Sequence, residues 1–286
     1  MKPIENCIVN KDTSKNPIWL MRQAGRYLPE FRELRANNQD FIKLCLNESL
    51  SSEITLQPIK RFGFDAAIIF SDILMIPFAI NQEVKFEKGF GPKLGNLNLD
   101  KIKETTNEEF TNRLKPVYNA ITRTSQSSLL NDKDLIGFVG APWTILVYMI
   151  NKMSPKNGLP EIFFNDPNLI NDLLNIIEKF VKLHIKNQIN AGANVIQIFD
   201  SWAGLLEDRI SEYIYQPTFN IVEYVKKLGV PIICFPRGIK NYKEFCEIVK
   251  PDMISIDYEV DPHEIVKNIK IPVQGGLDPK FLLSDK

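Results

Sequence analysis

Arg22 and Arg26 flank Gln23, Ala24 and Gly25, and Arg32 and Arg35 follow behind Leu28, Pro29 and Glu30. Guanidinium groups gathered this closely form a cationic wall whose paired N–H donors suit carboxylates or phosphates. The competing reading is a solvated charge run partly neutralised by Glu30 and Glu33. Gly25, between the two arginines, permits close backbone approach to a ligand. Asp72 is the second group of interest. It follows the apolar run 66–70 and Ser71 and precedes the apolar stretch 73–77, so few charges compete for its carboxylate. Such an acid accepts hydrogen bonds from ligand N–H groups and stabilises a developing positive charge. Its alternative fate is to cap the helix that follows. Tyr148, beyond the turn Gly140-Ala141-Pro142-Trp143-Thr144, either places a phenol over a pocket or packs in the core. Ser201, in the block Asp200-Ser201-Trp202-Ala203-Gly204, either donates to a carboxylate or caps a helix.

Several common chemistries lack their residues. His184 falls on the apolar face of a helical pattern, where a satisfied core group is expected, and His263 sits at a helix start. There is no His/Cys cluster for zinc, no G-x-S-x-G, no P-loop and no G-x-G-x-x-G. Cys7, Cys45, Cys234 and Cys246 lie far apart without a C-x-x-C pair, which suggests neither a disulfide framework nor a thiolate metal site. What is left is a site of arginines, one buried carboxylate, a phenol and a hydroxyl, with no evident metal, cofactor or nucleophile. The 35 basic and 35 acidic residues balance, so no sequence-wide field attracts nucleic acid or an anionic membrane. No apolar stretch approaches the ~20 residues that span a bilayer, and the N-terminus lacks an apolar signal core; a cytoplasmic protein is expected.

These residues are held by a regular alternation. Short apolar runs at 18–21, 66–70, 136–139, 195–199, 232–235, 253–256 and 272–274 are each followed at once by polar or glycine-rich residues. Buried strands that end in reactive loops predict an α/β barrel with its site at one rim. Helical periodicity fills the intervals at 47–61, with Ser49 or Ser51 near its cap, and at 108–129, 168–191, 208–228, 241–249 and 262–269. Asp166-Pro167 and Gly192 mark the ends of the third interval, and Pro217 divides or kinks the fourth. Segments 83–90 and 154–160 read as excursions above the strand ends. A single domain over residues 1–286 is expected. Seven strands are one short of a closed (β/α)8 TIM barrel, so the barrel is predicted to be incomplete.

The blocks also resemble a known family. Pro17-Ile18-Trp19-Leu20-Met21-Arg22-Gln23-Ala24-Gly25-Arg26-Tyr27-Leu28-Pro29-Glu30 is similar to the N-terminal signature of the uroporphyrinogen decarboxylases. Ile69-Phe70-Ser71-Asp72-Ile73-Leu74, Gly140-Ala141-Pro142-Trp143-Thr144 with Tyr148-Met149, Phe199-Asp200-Ser201-Trp202-Ala203-Gly204 and Gln274-Gly275-Gly276-Leu277-Asp278-Pro279 resemble its later blocks in order. The resemblance implies a single-barrel homodimer that removes the four acetate carboxyls of uroporphyrinogen III, giving coproporphyrinogen III in porphyrin biosynthesis, without cofactor or metal. Carried over by position, Arg22, Gln23, Ala24, Gly25, Arg26, Arg35, Asp72, Tyr148 and Ser201 bind substrate, with Asp72, Arg22 and Arg26 catalytic. Asp72 receives the pyrrole N–H groups, while Tyr148 and Ser201 hold side-chain carboxylates. The family pattern continues with a last strand and helix and an Asn-Leu-Gly-His-Gly block that this sequence lacks. The alternatives are a non-catalytic porphyrinogen-binding fragment and a cobamide-dependent methyltransferase of the same fold, which would require a zinc cluster of His and Cys.

Overall fold

The structure is a computed structural model that describes residues 1–12, 14–87, 89–155 and 158–283. It opens with helix α1 (Pro3–Val9), followed by α2 (Pro29–Asn37), α3 (Phe41–Cys45) and α4 (Glu48–Phe62). Strand β1 (Ala66–Ile68), helix α5 (Met75–Ala79) and the strands β2 (Val84–Glu87) and β3 (Gly91–Leu94) come next. Helices α6 (Leu99–Glu104) and α7 (Asn107–Ser125) lead to β4 (Asp134–Gly140), α8 (Pro142–Asn151), α9 (Ile162–Asn165) and α10 (Pro167–Asn190). The remainder alternates as β5 (Val195–Asp200), α11 (Gln216–Lys227), β6 (Ile232–Pro236), α12 (Tyr242–Val249), β7 (Met253–Ile256), α13 (Pro262–Asn268) and β8 (Val273–Gly275).

Six strands make one parallel sheet in the order β1-β4-β5-β6-β7-β8, curled into part of a barrel, while β2 and β3 form a separate antiparallel hairpin. The two faces follow the two-residue alternation. Ala66, Ile68, Ile136, Val195, Ile233 and Met253 point into the barrel and meet Ile4 and Ile8 of α1, which plugs the interior. Ala67, Ile69, Leu135, Val139, Ile196, Ile198, Ile232, Cys234 and Ile254 face the helical layer, the larger of the two cores. Asp134 fixes the plug, accepting a 2.6 Å bond from the Ile4 backbone N–H and another of 2.6 Å from Asn194 Nδ2.

The expected segment 18–21 is not a strand of the sheet. Ile18 exchanges two bonds with Asp65, just before β1: its N–H donates to Asp65 Oδ2 at 2.7 Å and its carbonyl accepts from Asp65 N at 2.9 Å. The ladder then stops because the Gln23 side chain replaces the next rung. Its Oε1 accepts from Leu20 N and its Nε2 donates to Ala66 O, both at 3.1 Å. Hence the parallel sheet has six strands among the described residues where the sequence predicted about seven. β1 is likewise shorter than its apolar run. Two hydroxyls of α4 take over at Phe70: its N–H donates to Thr55 Oγ1 at 2.8 Å and its carbonyl accepts from Ser51 Oγ at 2.7 Å.

The helix expectations hold with local adjustments. Asn47, rather than Ser49 or Ser51, caps α4 by accepting from Leu50 N at 3.0 Å. Asp166 caps α10, with Pro167 in its first turn. The interrupted segment 208–228 forms a π-helical turn, Ser211–Tyr215, that runs into α11, with Pro217 at the start where a missing N–H costs little. The described residues of the excursion at 83–90 lie within the β2–β3 hairpin and its flanks, and residue 88, like residues 156 and 157 of the one at 154–160, lies outside the described set. Among the described residues no helix is long and apolar enough to cross a membrane.

Candidate active site

The candidate groups stand at or beyond the C-terminal ends of the parallel strands. Asp72 stands two residues past the Phe70 clamp. Its Oδ1 accepts from Leu74 N at 2.8 Å, closing a turn into α5. Among the described residues Oδ2 accepts no hydrogen bond, so one oxygen shapes the chain and the other is available to a ligand. Part of the residue still meets solvent, yet the carboxyl itself is surrounded by protein. Burial raises its pKa to about 6, opposed by the Leu74 N–H and by the nearby positive charge of Arg22.

The arginine loop lies beside it. Glu30, one of the two candidate neutralisers, is engaged elsewhere: Arg61 of α4 grips it through Nε at 2.9 Å and Nη2 at 2.8 Å. Among the described residues Arg22, Arg26 and Arg32 therefore have no carboxylate partner, and all three are exposed. That favours the anion-binding reading over the neutralised charge run. Arg35 donates to the Asn38 carbonyl and sits 5.8 Å from the centre of the Phe41 ring. Its charge and that of Asp72 both reach the buried Cys45 thiol, which desolvation holds well above its ordinary pKa. Gln23 is 1 % exposed with its amide committed to the loop, and Tyr27 Oη donates to its carbonyl. Gln23, Ala24 and Gly25 thus shape the loop that carries Arg22 and Arg26.

Tyr148 lies on α8, which follows β4, and Ser201 comes directly after β5. Tyr148 is half-buried on α8, its ring edge-on to Trp202 at 5.8 Å and its Oη 3.5 Å from Ser154 Oγ. The loop bearing Ser201 is pinned on both sides. Thr144 Oγ1 donates to Asp200 Oδ1 at 2.6 Å and accepts from Trp202 N at 3.0 Å, while Trp143 Nε1 donates to the Trp202 carbonyl at 3.0 Å. Asp200 is 3 % exposed, and burial raises its pKa to about 7 against the Thr144 bond. Ser71 Oγ, Asp200 Oδ2 and Trp202 Nε1 are buried at these strand ends without a hydrogen-bond partner among the described residues. Orphaned polar groups of this kind are costly unless something arriving from outside completes them.

Sequence reading missed the aromatic shelf beside Asp72. Phe70 lies edge-on to Phe31 at 5.8 Å and to Phe41 at 5.7 Å, and Phe41 packs on Phe86 of the hairpin at 4.5 Å. It also missed Thr55 and took Ser51 only for a cap; their signal was two hydroxyls one turn apart on the buried face of an amphipathic helix. His184 is the core group expected, its Nδ1 3.0 Å from Tyr118 Oη and its pKa lowered by burial to about 3. Among the described residues no group of three or more His, Cys, Asp or Glu side chains is placed to hold a metal ion.

The family model for Uroporphyrinogen decarboxylase (URO-D) matches residues 1–286. The chain belongs to the uroporphyrinogen decarboxylase family. Among curated members of this family, the uroporphyrinogen decarboxylase of Rickettsia bellii (strain RML369-C) is 40% identical over 281 residues, covering 96% of this chain and 82% of that protein. That of Chelativorans sp. (strain BNC1) is 41% identical over 275 residues, covering 94% and 80%. A solved methyltransferase from Methanosarcina mazei shares the fold, with a TM-score of 0.73 at 14% identity over 92% of this chain and 77% of that one. The barrel architecture is thus common to both, whereas the sequence likeness points to uroporphyrinogen decarboxylases.

Proposed function

We propose that this chain is a uroporphyrinogen decarboxylase, converting the four acetate arms of uroporphyrinogen III to methyl groups and giving coproporphyrinogen III with release of carbon dioxide. The observation that carries this reading is a half-available carboxylate, Asp72, set beside Arg22 on a segment whose Arg22, Arg26 and Arg32 form no ion pair among the described residues. In the proposed cycle a pyrrole carbon is protonated and the ring becomes an electron acceptor. The bond to the carboxyl carbon then breaks, carbon dioxide leaves, and its electrons neutralise the ring. A second proton adds to the exposed methylene as the ring returns its own, so each arm consumes one proton net. The anionic Asp72 faces the pyrrole N–H groups and stabilises the ring cation. Arg22 and Arg26 orient substrate carboxylates, Arg35 adds to the same basic surface, and Tyr148 and Ser201 hold further arms. The reaction as read needs no cofactor or metal, because the pyrrole is its own electron sink.

We further read residues 1–286 as one domain acting in the cytoplasm as a homodimer. The test is anaerobic incubation with uroporphyrinogen III, followed by oxidation and chromatography of the porphyrins. Tetracarboxylate product is expected. Retention of all eight carboxyls by a chain that binds the substrate would favour the carrier reading instead.

A further inference from the structure

Arg237 follows β6 directly, two strands beyond β4, and the arginine loop lies on the β1 side of the sheet. Three strand spacings separate β1 from β6, roughly 14 Å along the sheet. Ile233 faces the barrel interior and Cys234 the helices, so the two-residue alternation brings Phe235 round to the interior side, and Arg237 is the first residue past the end of β6 at Pro236. Its backbone is joined to the loop that carries Ser201. Arg237 N donates to the Asp200 carbonyl at 3.0 Å, and its own carbonyl accepts from Gly204 N at 2.9 Å.

The side chain is poised rather than consumed. Asp257, after β7, holds Oδ1 3.8 Å from Arg237 Nε, a long contact that adds little for a guanidinium 51% exposed. Asp257 is itself well fixed, its Oδ2 accepting from Gly238 N at 2.7 Å and from Tyr242 Oη at 2.8 Å. Among the described residues the Arg237 side chain makes no hydrogen bond, and it borders a recess of about 290 Å³ shared with Asp257, Tyr258, Glu259 and Val260. The arrangement is a cation aimed by a rigid carboxylate, with its N–H fork open.

We propose that Arg237 is a further carboxylate-binding residue, gripping an acid arm of the substrate across the barrel mouth from Arg22 and Arg26. This rests on the decarboxylase reading above, in which the ligand bears carboxylates around its whole rim and cannot be oriented from one side alone. Asp257 and Tyr242 position the guanidinium without touching substrate.

Steady-state kinetics of Arg237→Gln and Arg237→Lys with uroporphyrinogen III test it, alongside titration of both variants with uroporphyrin, the oxidised octacarboxylate. Losing one charge-assisted contact should raise KM and the apparent Kd by about tenfold, with kcat within about twofold. Lysine keeps the charge without the fork and should recover part of the loss. Wild-type turnover with KM and Kd unchanged in Arg237→Gln would overturn this proposal and leave the decarboxylase reading standing. A wild-type chain that neither binds nor decarboxylates would overturn both.

Discussion

At the scale of single residues, two buried carboxyls titrate in the neutral range for different ends. Asp72 must be anionic to stabilise a cation, and its pKa of about 6 places that requirement within reach of assay. We expect kcat/KM to fall about tenfold per unit as pH drops below about 6, since the protonated acid cannot act. Asp72→Asn should keep the fold and lose most turnover; near wild-type rates would refute the role assigned to it. Asp200 gives a stability effect of defined sign. Its folded pKa of about 7 lies above the ordinary 3.8, so the folded chain binds more protons than the unfolded one between those values. Stability from this group is therefore lost as pH rises from about 4 to 7. Asp200→Asn, which retains an acceptor for Thr144, should be more stable than wild type at pH 8 by a margin on the order of 4 kcal/mol that vanishes near pH 4. Urea unfolding at the two pH values measures it, and a margin independent of pH would show that burial is not the cause.

At the scale of elements, the strand ends are terminated by side chains rather than by the sheet itself. Gln23 substitutes for a rung beside β1, and Ser51 and Thr55 take both backbone groups of Phe70, releasing the chain into the loop of Asp72. These side chains decide where the reactive loops begin. The loops after β5 and β6 are packed backbone to backbone. A Cβ on Gly204 would stand 2.5 Å from the Gly238 carbonyl oxygen, and Gly238 has φ +79, a conformation other residues adopt at a cost. Gly204→Ala should therefore separate the two loops and destabilise the fold by about 1–3 kcal/mol, with a larger proportional loss of activity than of stability. Thermal unfolding and kinetics on the same preparation check it; an alanine variant with wild-type behaviour in both would mean the loops can part freely. The apolar runs located every one of these loops, but not the bonds that hold them. A glutamine in a charged loop carries no mark that its amide will stand in for a backbone rung.

At the scale of the whole molecule, one side chain joins the two ends of the sheet. Trp19 lies on the segment that flanks β1, yet its Nε1 donates at 3.1 Å to Gln274 Oε1 on β8. Gln274 Nε2 donates in turn to Ser255 Oγ at 2.7 Å and to Gln197 Oε1 at 3.2 Å, inside the barrel. This network joins three strands to the segment beside β1 and spans most of the chain length. Trp19→Phe keeps the ring and removes the donor, leaving Gln274 Oε1 short of its partner. It should cost about 1–2 kcal/mol and quicken amide exchange in β8 more than in β5. Equal protection of β8 in both proteins would show that the bond does not hold the edge.

Alternating apolar runs and turn residues determined the order of strands and helices, because burial on both faces writes each parallel strand as a continuous apolar run. The spacing of Arg22, Arg26, Asp72, Tyr148 and Ser201 after those runs placed the candidate groups on the segments that follow them. Only the tertiary structure decided that the segment 18–21 stays outside the ladder, that Glu30 is claimed by Arg61 and leaves the arginine loop open, and that Trp19 reaches β8. Each is a contact between residues tens to hundreds of positions apart. Local pattern reports the period of burial, but not which distant partner will satisfy a given polar group.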